Sequence, residues 1–431
     1  MKVSKDKTEN SQVFLTIEVE PPEVEAELAK SYHRLARKTN VPGFRKGKAP
    51  RDVLERHIGK ESLLDDALRY LVPQAYEDAI KEQDIEAFTQ PQLEIVQTEP
   101  LVFKATVPLK PTVELGDYRN IQVTPETAEV TEDDVTAAME HLRHQLATWE
   151  PVEREVGFGD LIVLDVQANI EDKPFIDQQG GQFQVIQGAT GPVPGFAEQL
   201  VGLKMDEEKE FTLQFPADYP RNEMAGKEAA FKVKISEIKQ EQLPELNDEL
   251  AKQVDPETET VDSLRKKVAA NIRLGAEEKA RKDFEERVID AVVEQAKLDF
   301  PPVLVEMELH RFLDDQAREL QMRGLGMEEY LSRINKTEEE LREELRPSAA
   351  KKVSQSLVLG KVSEEEKVEV GESEIDTEIE NLTQGDAENK EKLEKIFNTP
   401  QSRQSIERWL TTQKTVQRLV ELAEAQSGKK P

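Results

Sequence analysis

The densest group of reactive side chains in this sequence is a run of cations near its start. Residues 30–60 contain ten lysines and arginines but only two acids, Asp52 and Glu55, which gives a charge of 10 − 2 = +8. The whole chain of 431 residues carries a net charge of −30. Most of the protein would therefore repel a polyanion, and a local basic segment of this kind is typical of a surface that binds phosphates or carboxylates.

Residues 43–48, a loop within this segment, place an aromatic ring among cations. Phe44 has three cations within the next four positions, so burial of its ring would bury or bend those charges as well. Such a loop suits docking, with the ring in an apolar socket and the cations on an anionic partner. A solvated helix face is the alternative, but it accounts only for Arg34, Arg37 and Lys38. The candidate docking residues are Gly43, Phe44, Arg45, Lys46, Gly47 and Lys48.

A second group is a concentration of aromatic residues between positions 175 and 231. Seven occur in this stretch, whereas aromatic residues make up only 5% of the whole chain. The simpler interpretation is the core of an ordinary β-rich domain, because rings fill such cores well. An apolar ligand pocket is the alternative, and composition alone favours the core. The seven residues are Phe175, Phe183, Phe196, Phe211, Phe215, Tyr219 and Phe231.

A third group is the segment Leu320–Met327, in which two methionines and two leucines surround two glycines after a helical pattern. Two interpretations stay open: a turn between helices with its own packed side chains, or a flexible apolar tip that contacts unfolded polypeptides. Methionine suits the second because its side chain adapts to many partners. The candidate client-binding residues are Met322, Leu325 and Met327.

The sequence lacks the residues that thiol chemistry, metal binding and ATP binding need. The chain has no cysteine, which excludes disulfides, thiolate nucleophiles and zinc–sulfur sites. Of its five histidines, only His141 and His144 share a helical face, and the carboxylates of a metal site do not accompany them. No loop has the glycine, lysine and hydroxyl spacing of an ATP-binding phosphate loop. We therefore expect no metal, no cofactor and no use of ATP.

Charge and hydropathy also predict a protein that binds neither DNA nor membranes. No stretch approaches about 18 consecutive apolar residues, the length that a membrane-spanning helix needs. The lysines of the first ten residues are not followed by the apolar run of a secretory signal. We expect a cytoplasmic protein.

The first 150 residues are predicted to form a small α+β domain and a linker helix. Residues 13–19 and 101–107 alternate apolar and polar side chains, which predicts strands. Helical spacing fills most of the sequence between them, including residues 51 to about 82. Thr131 and Asp134 then form the pattern of a capping box, and helical spacing continues to about Trp149.

The remaining sequence predicts a β-rich domain and a helical body. From residue 161 to 238, short apolar runs are broken by Gly, Pro and Asp, which predicts antiparallel strands. After Pro244 the spacing is helical to residue 426, with Thr399 and Pro400 at the start of the last helix. The predicted fold class is therefore multidomain α+β with an all-α C-terminal body. Its four parts are residues 1–112, 113–150, 151–243 and 244–431.

The segment Val41–Pro50, VPGFRKGKAP, resembles the ribosome-docking signature of the bacterial trigger factors, chaperones that meet nascent chains at the ribosomal exit tunnel. The order of the four parts is also that of the family, so the resemblance extends over nearly the whole chain. It implies that residues 43–48 contact a ribosomal protein and ribosomal RNA beside the tunnel exit. It also implies a helical body with arm-like helices, one of which ends near residues 320–327.

The segment Val193–Phe211 is similar to the part of FKBP-type peptidyl-prolyl isomerases in which an aromatic residue on a short helix forms the floor of the proline pocket. The resemblance implies that Phe196 is this floor. Val166 and Ile176 depart from the family pattern, which usually has an aromatic and an acidic residue there, so reduced turnover stays an alternative. The implied wall residues are Phe175, Phe183, Val193, Phe215, Tyr219 and Phe231.

Isomerisation of an X–Pro bond needs no acid, base or metal. Rotation costs about 18–20 kcal/mol because it breaks amide resonance, and a dry apolar pocket favours the less dipolar twisted amide. The sequence and its resemblance together predict an ATP-independent, ribosome-associated chaperone that shields nascent chains and isomerises X–Pro bonds. The alternatives are a free-standing prolyl isomerase and a holdase with a degenerate pocket. The expected partners are the ribosome and unfolded nascent chains, and whether the free protein forms a homodimer stays open.

Overall fold

The computed structural model describes residues 1–126, 129–170, 173–216, 219, 224–384 and 390–427. The chain divides into two compact units. The first comprises Met1–Val123, Arg287–Asp314 and the chain from Leu345 onward, and the second comprises Thr124–Glu286 and Asp315–Glu344. Both units combine helices with antiparallel strands, so the predicted multidomain α+β fold class is confirmed.

The elements of the first 126 residues are mostly strands at the two ends and helices between them. They are β1 (Lys2–Glu9), β2 (Gln12–Val19), α1 (Pro21–Lys38), α2 (Arg51–Ile58), α3 (Lys60–Glu82), β3 (Gln92–Thr98), β4 (Leu101–Pro108), β5 (Thr112–Glu114) and a 3-10 turn at Tyr118–Asn120.

The next elements are a helix and then the strands of the β-rich domain. They are α4 (Glu132–Gln145), β6 (Thr148–Pro151), β7 (Leu161–Ile170), β8 (Lys173–Gln184), α5 (Phe196–Leu200), β9 (Glu208–Gln214) and β10 (Glu228–Gln242).

The remaining elements are helices, with one short strand. They are α6 (Asp248–Val254), α7 (Val261–Gln295), β11 (Lys297–Asp299), α8 (Val303–Met322), α9 (Met327–Arg333), α10 (Glu338–Glu366), α11 (Glu372–Gln384), α12 (Lys390–Phe397) and α13 (Pro400–Ser427).

In the first unit, the N-terminal sheet has the strand order β1-β2-β4-β3, and all neighbours are antiparallel. Leu15, Ile17 and Phe103 on its central strands are completely buried, and Ala75 and Ala79 of α3 belong to the same core. The regular alternation of buried and exposed side chains in β2 and β4 matches one covered face of a sheet. The helix α3 therefore packs on this sheet, and α1 and α2, which carry the candidate docking loop, contact α3.

The same unit holds the 3-10 turn against the C-terminal helices through one carboxylate. Tyr118 Oη donates a hydrogen bond of 2.8 Å to Glu366 Oε1, and Arg119 Nη2 donates to the same oxygen at 2.7 Å. Arg418 Nε of α13 donates to Oε2 at 3.1 Å. The hydrogen bonds from Arg119 and Tyr118 lower the pKa of Glu366 to about 2. This ionic cluster fixes the segment that leaves the N-terminal sheet.

In the second unit, β7 lies between β10 and β8, while β6 and β9 both pair with β10. All these pairs are antiparallel. The short helix α5 places Phe196 and Leu200 in the core of this sheet. The capping box that the sequence predicts is present at the start of α4, where Asp134 N donates to Thr131 Oγ1 at 3.2 Å.

The structure differs from the sequence predictions in three local details. The helical pattern of residues 51–82 forms two helices, because Gly59 adopts a φ of +89° between α2 and α3. Trp149 is not helical but lies in β6, opposite Glu241 of β10. The strands β1 and β3 were not expected, since these edge strands are almost entirely exposed and have no alternating burial.

Candidate docking loop, aromatic cluster and apolar tip

The candidate docking loop connects α1 to α2 and is held by backbone hydrogen bonds. Gly47 N donates to the carbonyl of Ala36, near the end of α1, at 2.8 Å. Phe44 N donates to Val41 O at 3.1 Å. Gly43 and Gly47 have φ angles of +84° and +77°, a region that glycine occupies at little cost. The two glycines of the motif thus let a short loop fold back on the helix that precedes it.

Both ends of the loop are anchored in a small apolar cluster. Val41 and Ala49, at its two ends, are buried together with Ala36 and Leu54. The hydroxyl of Tyr32 donates a hydrogen bond of 2.7 Å to Ala49 O. Since the ends are buried, the residues between them are held at the surface.

The ring of Phe44 is 40% exposed, and the side chains of Arg45, Lys46 and Lys48 are exposed as well. Within the described ranges, none of these three cations forms an ion pair or a side-chain hydrogen bond. An exposed ring flanked by unneutralised cations is the arrangement that a docking surface needs, because neither group has an internal partner to lose.

Other cations of the basic segment have internal partners. Arg34 pairs with Glu27 and with Asp66, each at 2.9 Å, and Lys30 also pairs with Glu27 at 2.9 Å. Burial alone would raise the pKa of Glu27, but hydrogen bonds from Lys30 and Arg34 outweigh burial and lower it. Arg51 bridges Glu25 and Glu55. These pairs connect α1 to α2 and to α3, and they leave no free charge on these cations.

The aromatic residues of the β-rich domain form one connected cluster around Phe196. The ring of Phe196 is 2% exposed and contacts the rings of Phe183 and Phe231 edge-on, each with a centroid distance of 5.3 Å. Phe175 contacts Phe215 at 5.9 Å. These centroid distances are those of favourable aromatic pairs.

The remaining two pocket candidates belong to the same region. The ring of Tyr219 lies 4.6 Å from that of Phe215, and Val193 is completely buried in the core that contains Phe196. The structure therefore brings together all seven residues named as floor and walls. Phe175, Phe183 and Tyr219 are only partly covered, so the cluster is accessible at these three rings.

Phe211 belongs to this cluster, although it was not among the wall residues. Its ring stacks on Phe231 at 5.6 Å with an interplanar angle of 17° and lies 5.7 Å from Phe196. Phe211 lies directly opposite Phe231 in the pairing of β9 with β10. The alternation of Phe211, Leu213 and Phe215, which begins in β9, was the signal that could have identified it.

The two positions that depart from the isomerase pattern are both apolar in the structure. Val166 on β7 is 8% exposed and belongs to the core, and Ile176 on β8 packs against it. Asp177 is exposed and accepts a hydrogen bond of 3.3 Å from Gln167 Nε2. It therefore does not supply the acidic group that Ile176 lacks.

The candidate tip lies between α8 and α9. Met322, the last residue of α8, is 83% exposed, whereas Leu325 and Met327 are half-buried. Leu320 is buried, and its carbonyl accepts a hydrogen bond of 2.9 Å from Leu325 N. The buried Leu320 agrees with a packed turn between helices, and the exposed Met322 agrees with an apolar tip. The structure does not choose between the two interpretations.

Among the residues that the structure describes, no group of three or more His, Cys, Asp or Glu side chains could hold a metal ion. In the same residues, no helix is both long and apolar enough to cross a membrane.

Comparison with protein families gives three matches that follow one another along the chain. Residues 1–142 match the bacterial trigger factor protein. Residues 153–236 match the FKBP-type peptidyl-prolyl cis-trans isomerases. Residues 260–421 match the C-terminus of the bacterial trigger factor protein.

Individual proteins match over almost the full length. The trigger factor of Dehalococcoides mccartyi is 39% identical over 425 residues, which cover 98% of this chain and 95% of that protein. The trigger factor of Carboxydothermus hydrogenoformans is 38% identical over 429 residues, 99% of this chain and all of that protein. A solved structure of a trigger factor chaperone aligns with a TM-score of 0.49 at 21% identity, covering 98% of this chain and 99% of that one.

Proposed function

Because this chain belongs to the bacterial trigger factor family, we propose that the loop of residues 43–48 attaches it to the ribosome and that the aromatic cluster around Phe196 is its proline pocket. The protein is a ribosome-associated molecular chaperone with an FKBP-type peptidyl-prolyl isomerase domain. Which residues perform each task is the part that we infer from the geometry. We also propose the domain bounds 1–112, 113–150, 151–243 and 244–431, and a cytoplasmic location with partial attachment to ribosomes.

The observation that carries the docking assignment is the exposed ring of Phe44 between cations that lack internal acids. An apolar socket on a ribosomal protein would remove the ring from water, which stabilises the complex by burial of apolar surface. The neighbouring ammonium and guanidinium groups would contact phosphates of ribosomal RNA, whose binding releases counterions. In a chain with a net charge of −30, this local surface overcomes the general repulsion between protein and RNA.

Co-sedimentation with ribosomes tests the docking assignment. Phe44→Ala combined with Arg45→Ala and Lys46→Ala should abolish pelleting with ribosomes and leave isomerase activity intact. The matched control combines Phe88→Ala with Lys2→Ala and Lys5→Ala, since these are also one exposed ring and two exposed cations of the same unit. If the loop variant pellets as well as wild type, or if both variants lose binding equally, the assignment is wrong.

The proline pocket is supported by the contact of Phe196 with two neighbouring rings and by the partial exposure of three rings in the cluster. Apolar rings would hold the prolyl ring while its carbonyl turns, and an apolar surface favours the twisted amide over the planar one. No general acid or base takes part in this step. Catalysis rests on shape and polarity, so an apolar residue at position 176 is compatible with activity.

Turnover of a proline-containing test peptide distinguishes an active pocket from a degenerate one. Wild type should accelerate isomerisation, and both Phe196→Ala and the milder Phe175→Ala should slow it. Phe158→Ala, which removes an exposed ring from the same domain, serves as the control. If wild type gives no acceleration, the protein is a holdase whose pocket only binds.

We propose that Met322, Leu325 and Met327 contact unfolded clients. The exposure of Met322 supports this role, because a protruding flexible thioether can adapt to segments of different shape. Replacing all three residues with Ser should weaken suppression of client aggregation. The control replaces Met205, Leu274 and Met307, which are also exposed, with Ser. If the two triple variants suppress client aggregation equally well, the tip is not part of the client-binding surface.

A further inference from the structure

The cations at the end of α1 differ in whether the protein itself neutralises them. Arg34 is held by Glu27 and Asp66, and Lys38 lies close enough to Asp66 to help lower the pKa of that carboxyl. Arg37, on the same turn as Lys38, is exposed and forms no ion pair or hydrogen bond with the described part of the chain. No acid in the described part of the chain therefore neutralises its charge.

The side chain of Arg37 lies against the docking loop. A Cβ atom built on Gly47 would be 3.4 Å from Cγ of Arg37, so the arginine stem runs past the loop at van der Waals distance. The hydrogen bond from Gly47 N to Ala36 O fixes the loop beside the same turn of helix. Arg37 thus joins Lys46 and Lys48, the two neighbours of Gly47, in one exposed cationic surface.

We propose that Arg37 is a further binding residue of the docking surface and that it contacts phosphates of ribosomal RNA; this inference rests on the docking function proposed above. Three exposed cations around one glycine, without an acid among them, fit a partner that presents a row of negative charges. An RNA backbone presents an unbroken row of negative charges, one per phosphate, which three adjacent cations can contact together. RNA is therefore the partner that this surface fits.

A role in the helix itself is the competing explanation for Arg37. A basic residue in the last turn of a helix interacts favourably with the helix dipole, and α1 ends with Arg37 and Lys38. That role predicts a small loss of thermal stability when Arg37 is replaced and no change in ribosome binding. The two roles therefore differ in which measurement changes.

The salt dependence of ribosome binding tests the proposal. The dissociation constant of the full chain for vacant ribosomes is measured over a series of KCl concentrations for wild type, Arg37→Gln, Arg37→Lys and Lys5→Gln. For Arg37→Gln, we expect the slope of log affinity against log salt to become shallower by about 1, as for the loss of one phosphate contact. Arg37→Lys keeps the charge and should keep most of the slope. Lys5→Gln removes an exposed cation from the distant strand β1 and should behave as wild type.

Each other result overturns the proposal in a recognisable way. A wild-type slope and affinity for Arg37→Gln, with only a lower melting temperature, assigns Arg37 to the helix dipole. Weaker binding with a slope that changes by much less than 1 assigns it to a carboxylate of a ribosomal protein, whose ion pair is screened by salt but releases no condensed counterions. Failure of the underlying docking function looks different, because the triple variant at Phe44, Arg45 and Lys46 would then bind as well as wild type.

Discussion

The two phenylalanines at the centres of the candidate sites differ in how the protein holds them and in how much of each is exposed. Phe44 is 40% exposed, and the loop that carries it is held by buried residues at its ends. Phe196 is 2% exposed and is held by the rings around it. The first residue can be removed without disturbing a core, whereas the second is both core and candidate site. Mutations therefore separate binding from stability in the docking loop and couple the two in the aromatic cluster.

The largest difference between the two regions should appear in stability. Phe196→Ala should destabilise the β-rich domain by about 3–5 kcal/mol, because it leaves a cavity in a packed core. Phe44→Ala should change stability by less than about 0.5 kcal/mol, as is usual for exposed positions. Urea unfolding followed by tryptophan fluorescence measures the first effect. The measurement uses a Trp409→Phe background, so that the signal comes from Trp149 in β6, which pairs with β10 of the same sheet. A loss below about 1 kcal/mol for Phe196→Ala would show that the cluster is loosely packed.

Acid should affect the helices that carry the docking loop through their ion pairs. Glu27 and Asp66 have ordinary values of 4.5 and 3.8, and the folded protein lowers the pKa of both. The two ionised carboxylates therefore contribute their full stabilisation when the pH is above their ordinary pKa values. This stabilisation is lost as the pH falls through their lower pKa values in the folded protein. Glu27→Gln should cost about 2 kcal/mol at neutral pH, because hydrogen bonds between charged groups are lost.

Hydrogen exchange of the α1 amides in wild type and Glu27→Gln measures this contribution. The difference in protection between the two proteins should be present at pH 7 and absent in strong acid, below the folded pKa values. A difference that persists unchanged in acid would mean that Glu27 acts through packing and not through its charge.

A smaller effect on stability and turnover should show whether Phe211 belongs to the proline pocket. Phe211→Leu keeps an apolar side chain but removes the stacked pair with Phe231 and the contact with Phe196. It should cost about 1 kcal/mol of stability and lower kcat/KM for a proline-containing peptide. Unchanged kcat/KM in a variant with the expected loss of stability would place Phe211 in the core and outside the pocket.

Local sequence patterns predicted those elements whose structure depends on neighbouring residues. The capping box at Thr131 and Asp134 formed as expected, because its hydrogen bonds span only three residues. Trp149 was misplaced in a helix, since its strand is defined by pairing with Glu241, far away in the sequence. The edge strands β1 and β3 have largely polar, exposed side chains and leave little hydrophobic signal.

The candidate sites were predictable to different degrees for the same reason. The exposure of Phe44 follows from the cations next to it in the sequence, so it could be predicted from local composition. The arrangement of rings around Phe196 depends on three strands and a helix and was available only through the resemblance. Neither composition nor resemblance showed that Arg34 is paired with acids and Arg37 is not. That difference depends on where Glu27 of α1 and Asp66 of α3 lie in the folded protein.

The central claim is that the ring of Phe44 enters the ribosome. The most direct measurement replaces Phe44 with a photo-crosslinking phenylalanine analogue, which keeps an aromatic ring, and illuminates the protein with vacant ribosomes. The same analogue at Phe88, another exposed ring of the same unit, is the control. We predict crosslinks to ribosomal components from position 44 and not from position 88. Crosslinking from both positions alike, or from position 88 alone, would contradict the account.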